Sequence, residues 1–356
     1  MAEASRSTKR RRSSATAKSI VILEPGESCN PAKGQETFTR DAHFWLEDGN
    51  LILLAGTTAF RVYRGILVKK SAVFADMFDT GSLDATETFD GCPVVRLPDH
   101  PEDPRDFFQY LITCLDLSLS KAGPVRRASF AQLHAAFHLA HKYQCPDVEA
   151  RALFALKKYY TANFTQYTSF DEVEISSLRK PPMRASIAAV NIARLTETPS
   201  MLPYALYLAA TCEGCMVDGY KRRDGSVEYL SSEDLRSCID VRGALAREHA
   251  SLVKCAFSLR APSAGCRTPG VCPTAREEIL SDVELNAPGT FDVLYSYAEY
   301  IKDWGEVDDL CGVCRRGMLD REAQERRRVW KLLPGIFLLN AGKCGFATDS
   351  DADDSE

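Results

Sequence analysis

The sequence predicts an α+β protein, a small mixed α/β domain followed by a mostly α-helical carboxy-terminal region. Three observations carry this reading. Two short strand-like runs, residues 51–55 and 59–63, flank Gly56-Thr57-Thr58 as a hairpin. Apolar residues then recur at helical spacing through Ile66, Leu67, Val73, Phe74, Met77 and Phe78. Beyond residue 161 no internal repeat is found, and the apolar pattern is mostly that of helices.

Size and composition fit that class. The 356 residues, 45% hydrophobic and 26% charged, are ordinary globular usage, and the length favours two or three domains at about 100–200 residues each. Lys and Arg number 44 against 49 Asp and Glu, a net charge of −5, so no global basic charge recruits nucleic acid. No stretch approaches the ~18 consecutive apolar residues of a membrane span, and MAEASRSTKRRRSS lacks the apolar core of a secretory signal. The protein is therefore expected to be soluble and intracellular, in the nucleus or the cytoplasm. Its 13 cysteines are then thiols, with metal ligands among them, rather than an oxidised framework.

Along the chain, residues 1–38 are rich in Ser, Thr, Lys and Arg and read as a disordered basic arm. Its run Lys9-Arg10-Arg11-Arg12 is a candidate nuclear-import signal, since closely spaced cations suit acidic grooves, and could also touch phosphates; the plain alternative is a solvated tail. A small domain is expected over 39–160. After the hairpin, Ser71 is placed to cap the second short helix, and Val94-Val95-Arg96-Leu97, between Pro93 and Pro98, is a further strand. Pro104 can open a helix whose apolar face is Phe107, Phe108, Leu111, Ile112 and Leu115. A linker over 119–127 follows. Phe130, Leu133, Phe137 and Ala140 then stripe a longer helix, and Pro146-Asp147 starts another.

These residues carry a resemblance. Asp48-Gly49-Asn50 before a hairpin, Phe60-Arg61-Val62-Tyr63-Arg64-Gly65-Ile66-Leu67, Ser71-x-x-Phe74-x-x-Met77-Phe78 and Ala140-His141-Lys142-Tyr143 together resemble a BTB/POZ domain. The segment 90–99 and the downstream layout resemble the BTB proteins of mushroom-forming fungi. Tyr63 departs from the pattern, which usually has His there.

The region 161–345 reads as mostly helical. Residues 185–195, 203–212 and 291–301 are expected helices, and Ser231 or Ser232 can cap a helix starting at Leu230-Ser231-Ser232-Glu233. Pro181-Pro182 and residues 261–273 read as loops. A charged helix over 319–333 is expected to stop at Pro334, and the acidic tail 346–356 to be disordered. The cations Arg326-Arg327-Arg328 sit near that helix's negative pole, which stabilises it, or they could meet a phosphate. Cys311-x-x-Cys314, this basic helix and the following Trp330 to Phe337 also resemble the carboxy-terminal pattern of the same fungal proteins.

Two C-x-x-C pairs, Cys212/Cys215 and Cys311/Cys314, could place thiolates at adjacent corners of a tetrahedral structural zinc. Cys266 or Cys272 could substitute for ligands of one pair, and His249 is a remoter candidate. The competing readings are unligated, partly buried cysteines and a redox C-x-x-C. His134, His138 and His141 lie at i, i+4 and i+7, but beside an apolar stripe and without the carboxylate of an H-E-x-x-H motif, so they read as ordinary helix histidines. G-x-S-x-G, P-loop, G-x-G-x-x-G and H-E-x-x-H signatures are absent from the sequence, and an enzyme is not expected.

The resemblance implies a non-enzymatic protein–protein interaction module, an adaptor that forms a homodimer or docks a partner such as a cullin scaffold. His43, Phe44 and Trp45 ahead of the hairpin, with Asp48 and Tyr63, are the interface candidates, although Phe44 and Trp45 could equally pack onto their own domain. The cullin-type hydrophobic-x-Glu pattern has its nearest match in Ala85-Thr86-Glu87, whose first residue is small. The alternative is a nuclear regulator that contacts nucleic acid through the basic arm.

Overall fold

The computed structural model describes residues 19–27, 30, 35–79, 87–112, 128–169, 178–257, 264–286, 292–304 and 310–346. It is α+β, as expected, and divides into two compact units: residues 1–115 with 135–151, and residues 116–134 with 152–356. None of the helices among the described residues is long and apolar enough to cross a membrane.

The first unit is built on six strands, β1 (Ser19–Leu23), β2 (Gln35–Trp45), β3 (Leu51–Ala55), β4 (Thr58–Val62), β5 (Thr88–Phe89) and β6 (Cys92–Leu97). Their order is β1-β2-β4-β3-β6-β5. The hairpin pair β3 and β4 is antiparallel, while β6 joins β3 in parallel with Ile52 opposite Val94. Strand β3 is thus central, and all five of its residues are buried, which is why it reads Leu-Ile-Leu-Leu-Ala without polar alternation. Ile52 and Leu54 share one core cluster with Ile22, Phe38, Ala59, Cys92 and Val94; Leu51 and Leu53 point to the other face by the two-residue strand period. Gly56 turns the hairpin at φ +55°, and a Cβ there would meet Pro101 Cδ at 3.1 Å.

Helices α1 (Arg64–Lys70), α2 (Ala72–Asp79) and α3 (Glu102–Ile112) follow, and the chain then enters α4 (Phe130–Lys142) and α5 (Pro146–Tyr159), each of which is divided between the units. Ser71 caps α2 as expected: its Oγ accepts the Phe74 N–H at 3.0 Å while its hydroxyl donates to the Tyr143 carbonyl. The Tyr143 ring stacks on Phe74 at 4.7 Å and its hydroxyl donates to Asp99 at 2.5 Å.

The arm expected over 1–38 is corrected from Ser19 onward. Residues 19–23 form β1, paired in parallel with Gln35 to Thr39 of β2. The run Ser-Ile-Val-Ile-Leu is rich in β-branched residues, which outweighs the polar composition around it. Residues 1–18, with Lys9, Arg10, Arg11 and Arg12, and the linker over 119–127 lie outside the described residues.

Among its described residues the second unit is mostly helical, with one small hairpin. Its elements are α6 (Phe164–Thr168), α7 (Ala185–Leu195), α8 (Leu202–Thr211), α9 (Cys215–Asp218), β7 (Tyr220–Lys221), β8 (Val227–Glu228), α10 (Ser232–Asp240), α11 (Arg242–Phe257), α12 (Cys272–Asn286), α13 (Ala298–Trp304) and α14 (Gly312–Ile336). Ser231 is the cap chosen for α10, accepting the Asp234 N–H at 3.0 Å. Gly219, at φ +81°, admits no side chain, because a Cβ would lie 2.6 Å from the Glu228 carbonyl.

Three expectations for this unit change. The helix expected over 291–301 starts only at Ala298, because the preceding backbone is held by side chains: Leu294 N–H donates to the Tyr207 hydroxyl and Tyr297 N–H to Glu322. Pro334 lies inside α14 rather than after it. It occupies the last turn, where the single missing N–H interrupts little of the helix. Phe346, placed at the start of the expected tail, is instead buried and stacks on Trp330; residues 347–356 lie outside the described residues.

Candidate metal centre

Four cysteines of the second unit come together. The thiols of Cys266, Cys272, Cys311 and Cys314 all lie within 4.8 Å of one another. They arrive on two helix starts and one loop. Cys272 is the first residue of α12, Cys311 is the residue preceding α14, and Cys314 lies in the first turn of α14. Cys266 sits in the loop before α12, just after Gly265 at φ +87°. Two helix amino-termini therefore face one cluster of sulfurs, an arrangement that favours thiolates.

The dimensions suit a tetrahedral metal. With Zn–S bonds of about 2.3 Å, neighbouring sulfurs of a tetrahedron stand about 3.8 Å apart, and Cys311 Sγ lies 3.8 Å from Cys266 Sγ. All four are unbridged. Hydrogen bonds support the sulfurs: the Cys311 N–H donates to Cys272 Sγ at 3.3 Å, and the Thr268 hydroxyl lies 3.0 Å from the same sulfur. The backbone N–H of Arg267 is the largest of several causes that bring the Cys311 thiol down to about 5. Burial leads the causes that push Cys266 up to about 12. A cation at the centre would stabilise all four thiolates together.

Cys272 and Cys314 are buried, while Cys266 and Cys311 are half-buried. Four thiolates would complete the shell of a zinc ion and leave no position for substrate, so the site can tie the start of α12 to the start of α14 but offers no open coordination place for chemistry.

The expected ligand set is thus rearranged. Cys311 and Cys314 take part, and they meet Cys266 and Cys272 together. Cys212 and Cys215 do not join them; the two are bonded to each other at the junction of α8 and α9. Equal C-x-x-C spacing suggested a pairing of like with like, whereas the partner of Cys311/Cys314 has C-x-x-x-x-x-C spacing in a Gly- and Pro-containing loop leading into a helix. His249 lies elsewhere, buried on α11 with Nε2 2.8 Å from the Tyr297 hydroxyl. His134 Nε2 lies 2.9 Å from Glu228 Oε1, and His141 Nδ1 lies 3.4 Å from Glu149.

The interface candidates divide. Phe44 turns into its own unit, its ring 5.8 Å from Phe108, and is withdrawn as a surface anchor. Trp45 packs partly on the sheet's core cluster and carries the Arg40 guanidinium 4.6 Å over its ring. His43 is exposed. Asp48 is also exposed and accepts the Tyr63 hydroxyl at 2.5 Å. A residue that pattern reading missed is Asp41, buried at 1% exposure, which accepts the N–H groups of His43 and Phe44 and the Arg105 Nε at 2.7 Å. Its only sequence signal is an acid inside a strand, where a carboxylate needs a reason to stay. On α14, Arg326 pairs with Glu322 at 2.7 Å, and Arg328 with Glu248 and Glu325.

Comparison of the chain with protein families, curated proteins and solved structures finds no match.

Proposed function

We propose that the protein is a non-enzymatic interaction protein whose first unit works as a BTB/POZ-like module, pairing with a second copy of itself, and whose helical unit is clamped by zinc on Cys266, Cys272, Cys311 and Cys314. The observation that carries the first part is the succession of β3–β4 hairpin, α1, α2, β6, α3, α4 and α5, with Ser71, Phe74 and Tyr143 in mutual contact at its centre. These are residues on which the resemblance rests. Self-pairing is favoured over docking of a cullin because Glu87, the acid of the hydrophobic-x-Glu pattern, already holds Arg96 at 2.8 Å. The exposed His43, with Tyr63 and Asp48, supplies polar and aromatic surface of the kind interfaces use.

Size-exclusion chromatography with light scattering on the full chain tests the pairing. The expected mass is twice 39.5 kDa, falling to that of one chain when His43→Glu and Tyr63→Glu are combined. A single-chain mass for the wild-type protein at tens of micromolar would overturn self-association. Metal analysis of the same fractions tests the clamp separately.

A further inference from the structure

Cys212 and Cys215 are bonded to each other, and neither the interaction reading nor the zinc clamp uses them. Among the described residues nine other cysteines are unbridged, so this pair stands by itself rather than within a disulfide framework. We propose that it is a thiol–disulfide exchange site, opened by a low-molecular-weight thiol and closed again by the corresponding disulfide, with Cys215 as the sulfur that exchanges.

The fold around the bridge does not need it. A link between residues three apart closes a very short loop, and such a loop restrains the unfolded chain least. The turn is also held by its own backbone: the Cys215 N–H donates to the Cys212 carbonyl at 3.2 Å, the Val217 N–H to the Gly214 carbonyl at 3.1 Å and the Gly219 N–H to the Cys215 carbonyl at 3.2 Å. Met216, 3% exposed, anchors it to the interior. The oxidised and dithiol forms can therefore share one fold, which reversible exchange requires.

The two cysteines are not equivalent. Cys212 directly follows α8 and is buried, whereas Cys215 opens α9 half-buried, with Glu213, Gly214 and Val217 exposed around it. Space over the turn is open, since a Cβ on Gly214 would meet nothing within 4 Å. An incoming thiolate thus reaches Cys215 first. It forms a new S–S bond to Cys215 as the Cys212–Cys215 bond breaks, and Cys212 leaves as a thiolate that takes a proton from solvent. A second small thiolate attacks the small-molecule sulfur of this mixed disulfide, releasing Cys215 as the other thiol. Two electrons pass to the protein, and the two small thiols depart as one disulfide. An exposed bridge with an accessible sulfur belongs to the labile class rather than the structural one.

Alkylation of the folded full chain, after millimolar reduced glutathione or after oxidised glutathione, tests the assignment by peptide mass. The tryptic peptide 195–221 contains Cys212 and Cys215 and no other cysteine, so it reports this pair apart from the metal cluster. The peptide is expected to carry two alkyl groups after reduced glutathione and none after oxidised glutathione, with an unchanged circular dichroism spectrum. With oxidised glutathione, Cys212→Ser should acquire one glutathione on Cys215, whereas Cys215→Ser should be capped on Cys212 at least about tenfold more slowly, because that thiol is buried. A bridge that persists in reduced glutathione would be structural, and two alkyl groups under both conditions would mean a pair of plain thiols. Equal capping of the two variants would remove the role of Cys215. Each of these three results would overturn the proposal.

Discussion

The indole N–H of Trp330 donates to the backbone carbonyl of Ala162 at 3.0 Å, joining α14 to the segment just before α6 across 168 residues of chain. The ring is 2% exposed and packs against Tyr167, Tyr204, Phe164 and Phe346. Trp330→Ala would open a cavity at this junction and leave the Ala162 carbonyl without its donor, a loss of about 3–5 kcal/mol. Trp330→Phe keeps a ring and loses mainly the hydrogen bond, about 1–2 kcal/mol. Chemical denaturation of the two variants should rank them in that order. Equal small effects would mean that α14 does not depend on this contact.

Zinc removal should act on the same unit from the other end. The wild-type chain is expected to carry about one zinc, the capacity of a four-thiolate site. Cys272→Ser and Cys314→Ser should each reduce bound metal to a small fraction and lower the melting temperature, whereas Cys212→Ser and Cys215→Ser should leave metal content unchanged. Elemental analysis of the five proteins decides between the set brought together by the fold and the set suggested by equal spacing. Full zinc retention in Cys314→Ser would rule out the site.

Where the chain's own neighbours determine structure, the sequence was legible. The apolar run of β3, the Ser71 cap and the stripe of α4 are local signals, and each element appears where it was expected. Strand β1 was missed because its five residues lie in polar surroundings and gain stability from non-local contacts, by pairing with β2 and burying Ile22 in the sheet's core cluster. Helix α11 was missed for a related reason: Leu245, Leu252, Val253 and Ala256 are buried, but charged residues between them blur the stripe. The metal candidates show the same limit. Spacing identifies which cysteines can occupy adjacent corners of a tetrahedron, but the return of Cys311 to Cys266 is made by tertiary structure.

Asp41 should prove structural. One carboxylate receives two backbone N–H groups and Arg105 Nε, and its side chain is fully buried while the arginine's is 42% exposed. Solvent screens the ion pair, so most of the loss in Asp41→Ala comes from the two orphaned N–H groups, about 1–3 kcal/mol in all. Asp41→Asn keeps an acceptor and should cost less. If thermal melting shows both variants as stable as the wild type, the β2 backbone does not need this anchor.

His249 should make the second unit sensitive to mild acid. Burial is the larger influence and holds its pKa below the ordinary 6.5, while Asp292 acts in the opposite direction. Nε2 lies 2.8 Å from the Tyr297 hydroxyl, within hydrogen-bond distance. Because the folded pKa lies below the unfolded one, the unfolded chain takes the proton first as pH falls. The contribution is therefore complete above about 6.5 and is lost as pH drops through the folded value. Denaturant titrations at about pH 7.5 and about pH 5.5, on either side of the unperturbed histidine value, should show a smaller stability difference in His249→Gln, whose amide keeps a partner for Tyr297 but does not titrate. Loss of metal in acid affects both proteins alike, so the comparison isolates the histidine; an identical pH dependence in the two would show that His249 contributes nothing to it.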